Sequence, residues 1–170
     1  MSEVGLPGYQ DHETARLAAE EANDPAALLL ADHAWLRLVI DELQPLSQQA
    51  GQFIQLRENV LELAPAIEAH IRQEEEAFFP AIEQIMRELG QGSTEDMLGE
   101  HDAIRIRIDE LLKAFHTAAD VGHAYANFAR SLLVHFDNEE ELIFEEAPKR
   151  LDWETRQQLL ERFKHLQPES

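Results

Sequence analysis

The chain of 170 residues contains no cysteine, which excludes disulfides, thiolate zinc sites and iron–sulfur ligation together. Histidine and carboxylate are then the strong metal ligands that remain. Basic residues are also scarce, 14 against 34 acidic ones, for a formal net charge of −20. A surface of that sign repels phosphate backbones and anionic lipid, so neither nucleic acid nor membrane is expected as a partner. No apolar run approaches the roughly 18 residues of a membrane span. The opening, Met1 to Asn23, lacks a basic start followed by an apolar stretch, so no secretory signal is read there and a cytoplasmic location is expected. Period-two alternation with β-branched residues is missing as well, which removes β-sheet classes.

What is present is helical periodicity. Asn23 and Asp24 before Pro25 make a cap with proline in the first turn, and Ala26, Leu29, His33, Leu36, Ile40 and Leu43 then step by three and four. This first main helix is expected over about 25–49, stopping near Gly51. A second stripe runs through Val60, Leu63, Ile67, His70, Glu74, Ala77 and Ala81, with Pro65 and Pro80 as bends or breaks. Gly90 to Ser93 is a connector. The third stripe carries Met97, His101, Ile104, Ile108, Leu111 and Phe115; the fourth carries Phe128, Leu132, His135, Glu139 and Leu142 and ends near Pro148. A shorter amphipathic helix, about Asp152 to Leu166, sets Trp153, Leu160 and Phe163 on one face. The expected fold is all-α: an up-and-down four-helix bundle over 24–150, with a polar leader or short helix over 1–23 and an extra C-terminal helix over 151–170.

Six polar residues interrupt the apolar stripes: His33, His70, Glu74, His101, His135 and Glu139. Burying an unpartnered polar group costs about 1–3 kcal/mol, and a carboxylate more, against a whole stability of about 5–15 kcal/mol. Something must compensate them.

The chain reads as two copies of one half. Asp32 to Leu43 aligns with Glu100 to Leu111, and His70 to Phe79 aligns with His135 to Phe144. The lone histidine precedes its His-x-x-x-Glu by 37 and 34 residues. On a helix, a residue four positions on lies about 40° round and about 6 Å along, so Glu74 shares a face with His70, and Glu139 with His135. Glu75 and Glu140 turn away by about 140°, and Glu76 and Glu141 by about 240°. These stay in solvent or accept hydrogen bonds from ligand N–H groups. Four imidazoles and two carboxylates in two-fold arrangement suit a pair of metals, two histidines to each and both glutamates bridging. Such a set leaves room for an oxo or hydroxo bridge and an open position; iron suits these ligands, as do manganese and zinc.

His33, His70-x-x-x-Glu74, His101 and His135-x-x-x-Glu139, over about residues 25–150, resemble the hemerythrin-like family of His/His/Glu cation-binding domains. The resemblance implies a four-helix bundle holding two non-haem iron ions. It implies as partner a small diatomic or peroxide ligand (dioxygen, nitric oxide or peroxide) and an electron donor if the centre turns over. Oxygen-carrying members place a second histidine four residues after the first on the third helix; Arg105 stands there instead. The chain thus resembles the four-histidine, two-glutamate branch, whose more open centre implies a peroxidase-, catalase- or nitric-oxide-type reactivity. Sensing or storage of iron or oxygen is the alternative, and a metal-free structural bundle the third reading. Arg37 and Arg105, at matching positions, are candidates for the edge of the site or for ion pairs with the acidic runs. His12, His116, His123 and His165 fall outside the repeat and are expected at the surface, and Tyr125 is too far along its helix to be a ligand.

Overall fold

The computed structural model describes residues 5–168, and among them every regular element is helical. An N-terminal helix α1 spans Tyr9–Glu21 and α2 spans Pro25–Leu43; α3 spans Phe53–Gln73 and runs through a π-helical turn, Glu74–Phe78, into α4, Phe79–Leu89. Then follow α5 (Glu95–Thr117), α6 (Val121–Leu142) and α7 (Trp153–Lys164). The result is a helical bundle. Helix α5 packs along α6, α1 lies along α2, α3 touches both α2 and α5, and α6 also touches α2. None of these helices is long and apolar enough to cross a membrane.

Local chemistry sets the element ends. The Asp24 side chain accepts from the Ala27 N–H at 3.0 Å, with Pro25 in the first turn, so α2 begins where the cap signal lies. It ends at Leu43, short of the expected 49, because the chain tightens into a 3-10 turn, Gln44–Gln48, around Pro45. There the Gln44 N–H turns to the Asp41 carbonyl, and the Tyr125 hydroxyl donates to the Ile40 carbonyl at 2.6 Å. Pro65 sits within a continuous α3. Helix α6 stops at Leu142 rather than near Pro148, and Asp152 caps α7 by accepting from the Thr155 N–H at 2.7 Å. Trp153 is 65% exposed, contrary to the expectation that it joins the apolar face; Leu160 and Phe163 do. At the first turn of α7 its position points outward, and its carbonyl, not its ring, is held by Asn23 at 3.1 Å.

The core forms two apolar clusters. One contains Leu36, Val39, Ile40, Leu56, Leu63, Ile67, Ile104, Leu111, Phe128 and Phe136. The other contains Leu28, Leu29, Phe78, Phe79, Ile82, Met97, Phe144 and, from α7, Phe163. On α2 and α5 the change from one cluster to the other falls at His33 and His101; on α3 and α6 it falls at Glu74 and Glu139. A polar layer is therefore sandwiched between two apolar ones.

Candidate metal centre

All six residues are buried, and their inward-facing atoms converge. His33, His101 and both glutamates have no exposed surface, and His70 and His135 retain 3% and 1%. His70 lies in the last turn of α3 and Glu74 opens the π turn that continues it, while His135 and Glu139 lie in the last turns of α6, so the four-residue spacing keeps each pair on one face. Just beyond each glutamate the backbone makes a five-residue hydrogen bond to the glutamate's own carbonyl. The Phe79 N–H donates to the Glu74 carbonyl across the π turn, and the Phe144 N–H donates to the Glu139 carbonyl at 3.1 Å. Each bond spans five residues rather than four; the first makes a π turn within a continuing helix, whereas the second joins the ordinary Ile143 bond to the Glu139 carbonyl, at 2.8 Å, where α6 ends. Pro80, which has no N–H to continue an α-helical ladder, gives the first distortion a cause.

Two groups of possible ligands form, each with atoms within 4.8 Å of one another: His33, His70, Glu74, Glu139, and Glu74, His101, His135, Glu139. The glutamates belong to both. Glu74 Oε1 stands 3.0 Å from His70 Nε2 and 3.8 Å from His33 Nε2, while its Oε2 stands 3.0 Å from His101 Nε2. Glu139 does the converse. Its Oε2 is 3.2 Å from His33 Nε2, and its Oε1 is 3.1 Å from His135 Nε2 and 3.5 Å from His101 Nε2. Each carboxylate thus offers one oxygen to each group. Ligands about 2.1 Å from a common ion stand roughly 3.0–3.4 Å apart, which matches most of these separations.

The outer faces of the imidazoles decide what the inner faces carry. His70 Nδ1 donates to Asp32 Oδ2 at 2.9 Å, His101 Nδ1 to Glu75 Oε1 at 2.9 Å, and His135 Nδ1 to Glu100 Oε2 at 2.7 Å. His33 Nδ1 faces Glu140 at 3.7 Å. An ionised carboxylate only accepts, so each bonded Nδ1 carries a proton and leaves Nε2 as the inward atom, which takes up a second proton or serves as a metal ligand. Both oxygens of Glu74 and Glu139, with Nε2 of His101 and His135, find no hydrogen-bond partner. His33 Nε2 and His70 Nε2 stand only 3.2 Å apart. Acceptors facing acceptors in a dry layer require protons or cations between them.

The electrostatics express the same need. Burial works against charged imidazoles, but Glu74 and Asp32 hold His70 up to about 9, and Glu139 and Glu74 hold His101 up to about 10. His33 is raised well above its ordinary value against its own burial by Glu139, Glu140 and Glu74. Burial alone would raise Glu74, yet the facing imidazoles keep it well below the usual carboxylate range; Glu139 is lowered likewise against both burial and the charge of Glu74. The six residues attract positive charge, and their donor set and spacing fit metal ions.

A second ring secures this layer. Arg105 holds Glu75 at 3.2 Å and Glu68 at 3.0 Å, and Arg37 holds Glu140 together with Asp137 at 2.9 Å. Both arginines therefore lie one layer outside the imidazoles, fixing the acids that face His101 and His33. Phe136 stacks on His33 at 4.0 Å, Phe79 on His101 at 5.7 Å, and Phe144 meets His33 edge-on at 5.5 Å. Tyr125 is buried in the first apolar cluster, where its hydroxyl serves the Ile40 carbonyl, and it belongs to neither ligand group.

His116, His123 and His165 are exposed as expected. His12 is not. Only 8% exposed, it stacks on Trp35 with ring centroids 4.3 Å apart, and its Nε2 donates to Asp32 Oδ1 at 2.6 Å. The leader is thus a docked helix. The sequence reading also left Asp32 and Glu100 without a role, although an acid immediately before each lone histidine repeats in both halves.

A helical bundle with a buried layer of four imidazoles around two shared carboxylates defines a cation-binding protein of the histidine–carboxylate class. The family model of the hemerythrin HHE cation binding domain matches residues 24–147. The chain belongs to that family. No curated protein and no solved structure matches it.

Proposed function

We propose that the chain holds two non-haem iron ions, ligated by His33, His70, Glu74, His101, His135 and Glu139, and binds or reacts with dioxygen, peroxide or nitric oxide. The observation that carries this reading is the sharing of Glu74 and Glu139 between two ligand groups, one oxygen to each. It includes an up-and-down course for the four helices that bear the ligands, consistent with family membership over residues 24–147.

Iron there would supply one-electron redox chemistry and an exchangeable coordination position. The chain's own contribution is geometric and electrostatic. Asp32, Glu75 and Glu100 fix imidazole tautomers and increase ring basicity. Glu74 and Glu139 offset the charge of two cations and set their separation. Phe136, Phe79 and Phe144 pack against His33 and His101 and keep the layer dry. Arg105, standing where oxygen carriers have a histidine, anchors Glu75 and supplies no ligand, which favours a centre with an open position.

The test is anaerobic reconstitution with ferrous iron, followed by rapid mixing with dioxygen, peroxide or nitric oxide while the visible spectrum is followed. A saturable optical change with at least one of them is expected. Turnover of peroxide would mark a catalyst, and stoichiometric binding a carrier or sensor. A spectrum indifferent to all three would overturn the proposal.

A further inference from the structure

The repeat predicts two equivalent halves, but the outer carboxylates are held differently. Glu100, behind His135, is half-buried and its other oxygen accepts from Asn138 at 2.7 Å. Asp32, behind His70, is only 4% exposed, and its second oxygen accepts from His12 Nε2 at 2.6 Å and from Arg16 Nη1 at 2.6 Å. Both donors come from α1, which ends at Glu21 and so lies outside the family-matched residues 24–147. Helix α1 is docked firmly enough for this. His12 stacks on Trp35, whose indole N–H donates to the Pro7 carbonyl at 2.9 Å, and Tyr9 meets Trp35 edge-on at 6.0 Å.

We propose that α1 is a positioning element for one half of the metal centre: His12 and Arg16 lock Asp32 onto His70, so the cation position built on His33 and His70 depends on α1, whereas the position built on His101 and His135 does not. Asp32 has a short side chain and is almost wholly buried. With His12 and Arg16 in place it is fully satisfied as an anion and can orient His70. Without them, the carboxylate would keep one partner and be free to swing, releasing the His70 ring. Glu100 reaches solvent and takes its second bond from α6, so α1 is immaterial to it. The two cation positions are consequently inequivalent in their outer support, despite nearly matched inner ligands.

This inference rests on the metal-site reading, and cobalt(II) titration separates the two. Binding is followed by visible absorption and by calorimetry, with melting of the metal-free protein as the fold control. The wild-type chain should take two ions in resolvable steps. Arg16→Gln and His12→Gln should each weaken one step about tenfold and leave the other unchanged. Arg16→Lys, which keeps a cation near Asp32, should restore most of the loss. Glu100→Gln should weaken the opposite step. Equal weakening of both steps by the α1 variants, or no change in either, would overturn the inference. A wild-type chain that takes up no cobalt would instead contradict the metal site itself.

Discussion

Stripping the metal should leave a protein whose stability falls as the solution becomes alkaline. In the metal-free state His70 is held up to about 9, against an ordinary value of 6.5, with Glu74 and Asp32 opposing its burial. A raised imidazole contributes its full stabilisation below the unfolded pKa and loses it as pH climbs through the folded one. Between about pH 6 and about pH 9.5 the loss on titrating His70 is worth about 3 kcal/mol, at about 1.4 kcal/mol per pH unit over most of that window. His101, held up to about 10, acts in the same direction, but it shares Glu74 with His70, so the two effects are not additive. In a chain of this size 1 kcal/mol moves the melting temperature by roughly 2–4 °C. Melts of chelator-treated protein between about pH 6 and about pH 9.5 should therefore drop by roughly 6–12 °C. The loaded protein should behave differently, since metal competes with protons for Nε2 and binds better as pH rises. A metal-free melting temperature that stays level or climbs over that window would refute the electrostatic picture of the layer.

Three substitutions away from the ligands probe the scaffold. Tyr125→Phe removes the hydroxyl that serves the Ile40 carbonyl where α2 tightens, and should cost about 1–3 kcal/mol in denaturant titration with metal content unchanged. Gly8→Ala places a Cβ at a residue with φ 70°, 2.4 Å from the Leu38 Cδ2. Leu38 is half-exposed and can turn aside, so the cost should be the backbone's, about 1–2 kcal/mol by thermal melting. Phe163→Ala empties a fully buried position that binds α7 to the apolar layer below the site, and should destabilise by about 3–5 kcal/mol in the same assay.

The parts visible in the sequence were those set by helical period. The stripes placed His33, His70, Glu74, His101, His135 and Glu139 inward, and the structure gathers them. Less visible was whatever depended on partners distant along the chain. Asp32 and Glu100 look like surface acids until His70 and His135 are brought against them. His12 reads as a stray surface histidine because its burial comes from Trp35 and Asp32, more than twenty positions away or close to it. Helix ends were misjudged where a local hydrogen bond changed the ladder. Pro45 and Tyr125 shorten α2, and the five-residue bonds after Glu74 and Glu139 have no period to announce them. Arg37 and Arg105 were recognised as a pair, and their place one layer out follows from acids on neighbouring helices.

The central claim is that six buried side chains hold two ions through two shared carboxylates. Elemental analysis of iron-reconstituted protein, beside Glu74→Gln and Glu139→Gln, tests it most directly. Two ions per chain in the wild type, falling to one or fewer in either variant, is the predicted result. Well under one ion per wild-type chain, or an undiminished pair in both variants, would contradict it.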